Sequence, residues 1–419
     1  MKMKKGNPQK ITFSVVGYGG RANAYLTALE TSFKNNFELV AVAEPDKKKQ
    51  AEVKAKFSLK DENIFEDDIA FCQQERLSDV VMITTQDKLH YIELLQLLDK
   101  GYDIILEKPI ATSLEEVQSI LEISKKYPDQ LVAVCHVLRH SPLFTKVKEI
   151  LDSNELGKII SIQHNENIGY YHFVHSYVRG SWRNSVESSP LILAKSCHDL
   201  DILLYLTGKH ATRIASFGSL SEFTSKNYVQ DKMAPYCVDC KIEKECPFSA
   251  IKIYSSQQIK SVVFDMSSVD KIRESLGKSD YGRCVYHCDN NVVDHQSSII
   301  EFEDGITATF NISAFTSKIN RSFKIMCQYG EIRGLEKPYL IEVHNFKTGL
   351  EERYEIDQTN SGHGGSDRAF IANFMEAYLR GKDFSSTLES SVEAHVMAFL
   401  AEKSRINGGI VQVICDKIK

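Results

Sequence analysis

Through the first third of the chain, short runs of apolar residues alternate with stretches in which apolar side chains recur every three or four positions. Ile11–Val16, Phe37–Ala43, residues 79–83, Asp103–Leu106 and residues 131–135 read as buried strands. Between them, residues 23–33, 91–100 and 113–126 read as helices, the first carrying Tyr25, Leu26, Leu29 and Phe33 on one face. Strand and helix in strict alternation predict an α/β unit with a doubly wound parallel sheet.

Beyond residue 136 the rhythm changes. Residues 144–156, followed by Gly157, read as a helix closed by a C-cap glycine, and residues 159–168 alternate as a strand. Residues 297–302, 306–313, 323–327, 330–334 and 340–346 read as further strands, with Glu303–Gly305 as a hairpin turn. This predicts an α+β unit with a sheet of its own. Helices are expected at 368–380 and 391–406. The predicted division is a first unit at 1–136, a second at 137–390 with a cysteine-rich insertion near 230–290, and a C-terminal helix and tail at 391–419 that returns to the first unit. The face of the second sheet away from its helices is a surface for self-association, as a homodimer or homotetramer.

Composition adjusts this picture in a few places. A length of 419 residues suits two domains, and 42% apolar with 26% charged residues suits a water-soluble protein. The net charge of −5 argues against a nucleic-acid partner. The basic N-terminus precedes no apolar h-region, and no segment approaches a membrane span, so a cytoplasmic protein is expected. Of ten cysteines, five fall within 237–288: Cys237, Cys240, Cys246, Cys284 and Cys288. The C-x-x-C pair with Cys246 and Cys284 could supply four thiolates to a structural zinc, an iron–sulfur cluster would use the same atoms, and unconnected reduced thiols are the third reading.

The most specific motif follows the first strand: Gly17-Tyr18-Gly19-Gly20-Arg21-Ala22, a G-x-G-x-x-A turn opening a helix. Gly17 permits the tight turn, Gly19 lets backbone approach a pyrophosphate, and Ala22 lets helix and strand pack closely. Glu44, at the tip of the second strand, can accept hydrogen bonds from ribose hydroxyls, which favours NAD. Lys47 to Lys49 keep NADP open. Ligands of such sheets sit at the carboxyl ends of the strands, which places Thr84, Thr85 and His90, and Glu107, Lys108 and Pro109, beside the cofactor.

A second stretch, Leu193-Ala-Lys-Ser-Cys-His-Asp-Leu-Asp201, reads as a helix. Leu193, Cys197, Leu200 and Leu204 form its apolar stripe, and Lys195, His198 and Asp199 fall together on the opposite face. That face is either a solvated ion cluster or an acid/base site.

The glycine turn, Thr84-Thr85…His90, Glu107-Lys108-Pro109, Trp182-Arg183 and the H-x-x-D pair His198…Asp201 together resemble the glucose–fructose oxidoreductase/inositol dehydrogenase/MocA family. The resemblance covers essentially the whole chain and implies a Rossmann domain at 1–136 followed by a substrate unit at 137–390 built on a large open, mostly antiparallel sheet. It implies hydride transfer between a nicotinamide and a sugar-like hydroxyl, with Lys108 reaching substrate and nicotinamide and His198 lining the reacting carbon. The chain departs from the family pattern at Ala194, where an Asp is frequent, and at Ser188-Ser-Pro190, where a glycine-rich run is frequent.

Within this frame His198 is the candidate base and Lys108 the group that stabilises charge on the reacting oxygen, while Lys195 and Asp199 would tune His198 in opposite directions. Arg139, His175, Arg179, Trp182, Arg183, Asp201 and His363 are the candidate substrate-binding residues. The leading expectation is an NAD(P)-dependent oxidoreductase acting on a sugar, polyol or related hydroxyl. The alternatives are an NAD-dependent glycoside hydrolase working by oxidation, elimination, hydration and reduction, and a non-catalytic sugar or redox sensor.

Overall fold

A computed structural model of the chain describes residues 10–256, 259, 265–357 and 365–414. Six parallel strands form the first sheet: β1 (Ile11–Val16), β2 (Phe37–Ala43), β3 (Ile64–Phe65), β4 (Val80–Ile83), β5 (Asp103–Leu106) and β6 (Val132–Val134). Their order is β3-β2-β1-β4-β5-β6, so the winding reverses between β1 and β4. Such a switch point opens a crevice at the carboxyl ends of the strands. β4 and β5 are buried throughout because helices cover both faces. One of these helices, Leu114–Ser124, starts with a capping box between Ser113 and Glu116.

The second sheet has nine strands. They are β7 (Ile159–Asn167), β8 (Ala211–Ser219), β9 (His295–Phe302), β10 (Thr307–Ser313), β11 (Asn320–Cys327), β12 (Gly330–Leu335), β13 (Leu340–Asn345), β14 (Glu351–Glu355) and β15 (Gln412–Val413). The order is β14-β13-β12-β11-β7-β10-β9-β8-β15, and only the central β7–β10 pair is parallel. Along β9 and β10 buried and exposed positions alternate, as a sheet covered on one face requires.

Two helices tie the sheets together. Ser366–Arg380 packs Phe370, Ile371 and Phe374 into the core built on β1 and the helix Gly20–Ser32, although it lies far downstream of that unit in sequence. Leu388–Ile406 packs against Leu114–Ser124 on one side and β8 on the other. The chain between them runs beside β6, where the Val134 N–H donates to the Ser386 carbonyl at 2.8 Å. Among the described residues, no helix is long and apolar enough to cross a membrane.

Two local expectations need correction. The helix expected at 144–156 runs Pro142–Asp152, with the Ser141 hydroxyl capping its N-terminus, and Gly157 is not its cap. Gly157 (φ +69°) lies in a later turn, where a Cβ would approach the Tyr329 ring to 2.8 Å. The single helix expected through Leu193 and Leu204 is two, Leu191–Ala194 and Cys197–Thr207, because Ser196 (φ −108°, ψ 8°) leaves helical geometry. Lys195 therefore sits in the break and does not share a helical face with His198 and Asp199.

Candidate active site

The glycine turn is shaped as a cofactor cradle. Gly17 has φ +88°, and a Cβ there would lie 2.7 Å from the Thr84 carbonyl oxygen. The Thr84 hydroxyl donates to the Gly17 carbonyl at 2.6 Å, so β4's exit loop braces the turn. A Cβ on Gly19 or Gly20 would meet nothing within 4 Å, which leaves open space in front of the helix Gly20–Ser32. That helix has no side-chain cap and no acid in its first turn, so no side chain there would oppose an anion at its first N–H groups. Glu44 is buried at the tip of β2, where one carboxylate oxygen accepts the Asp46 N–H at 3.0 Å. Lys47 pairs with Glu66 at 2.8 Å, and Lys49 approaches Glu44 at 3.8 Å. The donor set fits a dinucleotide.

Several residues expected beside the cofactor are committed to contacts within the protein. Arg21 turns inward, its Nε 2.6 Å from Glu107 and its terminal nitrogens 2.8 and 3.1 Å from Asp367. Tyr25 also donates to Glu107, at 2.6 Å. Burial opposes ionisation of Glu107, but Arg21 and Lys108 outweigh it and hold the carboxyl below its usual range. His90 is buried and clamps two loops, with Nδ1 2.7 Å from the Pro109 carbonyl and Nε2 3.2 Å from the Thr85 carbonyl. The Thr85 hydroxyl donates to Glu93 at 2.6 Å, and Tyr18 is buried in the core beneath the turn.

Lys108 leaves the first sheet and reaches the second unit, donating from Nζ to the Ala194 carbonyl at 2.7 Å. It thereby meets the two short helices at their junction, four residues before His198. Asp199 is buried beneath, accepting from His164 at 2.8 Å and from Arg321 Nε at 2.7 Å. Arg321 also pairs with Glu166 at 2.6 Å, and Lys195 approaches Glu166 at 3.4 Å. Burial opposes ionisation of both acids. For Asp199 the Arg321 and His164 contacts win and its pKa falls, whereas for Glu166 burial wins and its pKa rises.

His198 is largely buried, its ring 5.6 Å from that of His136, which is in turn 5.4 Å from His395. Burial, reinforced by Arg139 and Lys108, lowers the His136 pKa well below its ordinary value. His395 is pushed down to about 3, by burial first and then by His136. Its Nδ1 donates to the Ser391 carbonyl (2.8 Å) and its Nε2 accepts the Ile110 N–H (3.1 Å), which defines a neutral ring. Arg139 and Asp201 form a two-bond buried pair at 2.6 and 2.5 Å, and Arg139 also donates to the Ser385 carbonyl at 2.8 Å. This pair joins helix Cys197–Thr207 to the chain that follows Ser366–Arg380.

The remaining substrate candidates are spread out. Trp182 is partly exposed, and its indole N–H donates to Asp87. Arg183 pairs with Asp289 at 2.8 Å. His175 stacks on Tyr281 (4.8 Å between centroids), bonds the Tyr254 hydroxyl at 2.9 Å, and is lowered to about 4 by burial and Arg179. Arg179 is buried and donates to the carbonyls of Arg283 (2.7 Å) and Phe248 (2.8 Å), organising the cysteine-rich insertion. His363 lies outside the described residues.

The metal reading of the cysteine cluster gains no support among the described residues. Cys237, Cys240, Cys246 and Cys284 border one small cavity beside Arg179, but among the described residues no three His, Cys, Asp or Glu side chains group to hold an ion. Three of the thiols approach backbone carbonyls: Cys237 that of Arg283, Cys240 that of Lys232 and Cys288 that of Cys284. Burial pushes the Cys284 thiol up to about 11.

Glu166, Arg321, His164, His136, Asp87 and Asp367 were not singled out from the sequence. Only His136 and Asp87 carried a local signal, since both lie in loops leaving first-sheet strands.

A profile of the oxidoreductase family, NAD-binding Rossmann fold, matches residues 11–136, and one of its C-terminal alpha/beta domain matches residues 148–413. The chain belongs to the Gfo/Idh/MocA oxidoreductase family. It is 26% identical over 390 residues to the oxidoreductase YteT of Bacillus subtilis (strain 168), covering 88% of each chain. It is also 26% identical over 215 residues to the scyllo-inositol 2-dehydrogenase (NAD(+)) of the same strain, covering 50% of this chain and 58% of that one. A solved oxidoreductase from Agrobacterium radiobacter, in complex with NAD+, L-tartaric acid and magnesium, has a TM-score of 0.70 at 15% identity and covers 97% of this chain and 99% of its own. The chain is thus an oxidoreductase with an NAD-binding Rossmann domain.

Proposed function

We propose that this Gfo/Idh/MocA oxidoreductase moves a hydride between NAD and a hydroxyl-bearing carbon of a sugar or polyol. The observation that carries this reading is the bond from Lys108 Nζ to the Ala194 carbonyl, which brings the lysine from the cofactor sheet to the break in the helix pair, close to His198. The likeness to an NAD-dependent scyllo-inositol dehydrogenase supports a polyol-type substrate.

In this reading Gly17, Gly19 and Gly20 cradle the pyrophosphate, and Glu44 receives the ribose hydroxyls and favours NAD over NADP. NAD, when bound, accepts or returns the hydride. His198 takes the proton of the substrate hydroxyl, and Lys108 hydrogen-bonds the same oxygen as negative charge develops on it. Lys195 and Asp199, committed to Glu166 and to the His164–Arg321 pair, position the helix bearing His198 and exchange no protons. Trp182 and Arg183 contribute the outer wall. Arg139 and Asp201 hold the helix from behind.

The test is a panel of inositols, free sugars and glycosides with NAD and NADP, followed by NADH absorbance and product chromatography. Net NADH with a polyol or sugar, lost in Lys108→Ala and His198→Ala, is the expected result. Aglycone release from a glycoside without net NADH would replace this reading with the hydrolase. Full activity in both variants would refute the assignment of roles.

A further inference from the structure

Asp87 lies in the loop that leaves β4, between Thr85 and His90, yet every side chain that bonds its carboxylate comes from the second unit. Trp182 Nε1 lies 3.2 Å from Oδ2 and 3.4 Å from Oδ1. The Ser188 and Ser189 hydroxyls donate to Oδ2 at 3.3 and 3.4 Å. The carboxylate is buried, and the side-chain hydrogen bonds it accepts among the described residues come from neutral donors. A buried carboxylate held only by three neutral donors is an expensive way to gain stability alone. What it accomplishes geometrically is to fasten one segment, residues 182–189, to the loop beside the cofactor crevice.

Both ends of this connection are rigid. On the cofactor side, Thr85 is held by Glu93, and His90 bonds the Thr85 and Pro109 carbonyls. On the other side, Arg183 pairs with Asp289, the Asn291 N–H donates to the Arg183 carbonyl at 3.0 Å, and the Ser185 N–H donates to the Asn291 side chain at 2.7 Å. The Trp182 ring rests 6.3 Å from that of Tyr177 and keeps part of its surface open. Asp87 also lies near enough to Tyr177 and Cys197 for its charge to raise both of their pKa values, burial being the larger cause in each case.

We propose that Asp87 is a positioning residue: it fixes the indole of Trp182 as a wall of the substrate cleft and makes that wall sense whether the cofactor loop is engaged. The proposal rests on the NAD-binding reading above.

Trp182 is the only tryptophan in the chain, so tryptophan emission reports on the surroundings of this ring. The experiment titrates the full-length protein with NAD+ and follows tryptophan emission and its quenching by acrylamide, while calorimetry measures NAD+ binding independently. In the wild type, saturating NAD+ is expected to alter the emission and lower the quenching. In Asp87→Ala the emission should move to longer wavelength, the quenching should rise, and the NAD+ response should be lost, with NAD+ affinity within about threefold of wild type. Asp87→Asn, which keeps an oxygen for the indole N–H, should restore the response. An NAD+ response that persists in Asp87→Ala, or a wild type whose emission ignores NAD+ that calorimetry shows to be bound, overturns the proposal. Should Asp87→Ala fail to fold, the wild-type titration and the Asp87→Asn comparison still decide it. A wild type that binds no NAD+ by calorimetry would instead sink the cofactor reading.

Discussion

Glu93 provides a test of how burial sets protonation beside the cofactor loop. It is fully buried on the helix His90–Asp99, with Oε2 accepting the Thr85 hydroxyl and Oε1 without a partner. Burial raises its pKa from 4.5 to about 8, against a small opposing effect of the Thr85 hydrogen bond. The folded protein therefore keeps the carboxyl protonated where the unfolded chain has ionised it. A group whose folded pKa is raised stabilises fully below the unfolded pKa, and that stability is lost as pH rises through the folded pKa. Between about pH 5 and 8 the loss amounts to about 1.4 kcal/mol per pH unit, roughly 4 kcal/mol in all. Glu93→Gln keeps the shape and an acceptor for Thr85 but removes the titration. The stability of the variant should thus gain on the wild type steadily from pH 5 to 8. Cys72, its nearest titratable thiol, is raised to about 11 and stays neutral across this range. Urea midpoints at pH 5, 6, 7 and 8, followed by far-ultraviolet ellipticity, measure the difference. Parallel profiles for the two proteins would show that Glu93 is ionised in the fold and that burial does not control it.

Three further outcomes are expected. Lys108→Ala and His198→Ala should each lower kcat/KM by about 10²- to 10⁴-fold while NAD binding measured by calorimetry stays within a few-fold. Gly17→Ala should abolish NAD binding, because its Cβ would press on the Thr84 carbonyl and the backbone there lies in the left-handed region; equilibrium dialysis would show it. Arg139→Leu strands the buried Asp201 carboxylate and should cost about 3–5 kcal/mol, whereas Arg139→Leu with Asp201→Leu should recover much of that loss in a thermal melt.

The first sheet was legible because parallel strands covered on both faces read as unbroken apolar runs. β1, β2 and β5 match the expected limits, and only the two-residue β3 was too short to name. The glycine turn was legible because its demands are local: a positive φ at Gly17 and room in front of Gly19. The helix near His198 was read only in part. Helical spacing continues through Leu193 and Leu204, and nothing in a serine at 196 announces the break. The partners of Asp199 were hidden for a different reason. Arg321 is 122 residues away on strand β11, and Arg21 meets Asp367 across 346 residues. The C-x-x-C spacing suggested a metal because it is a local pattern, whereas the positions of four sulfurs depend on how three segments fold around Arg179.

The pieces that complete the first sheet's surroundings arrive last. Phe370, Ile371 and Phe374 fill its core, and the Ser386 carbonyl and hydroxyl bond the Val134 backbone on β6. During synthesis from the N-terminus, the dinucleotide-binding unit would wait for some 250 further residues, on the order of tens of seconds at ribosomal rates, before its apolar side is sealed. The nascent chain thus carries an exposed hydrophobic flank and an uncovered sheet edge for most of its birth. Its yield in cells should depend on chaperones that shelter that flank, and slowing translation beyond residue 136 should promote aggregation.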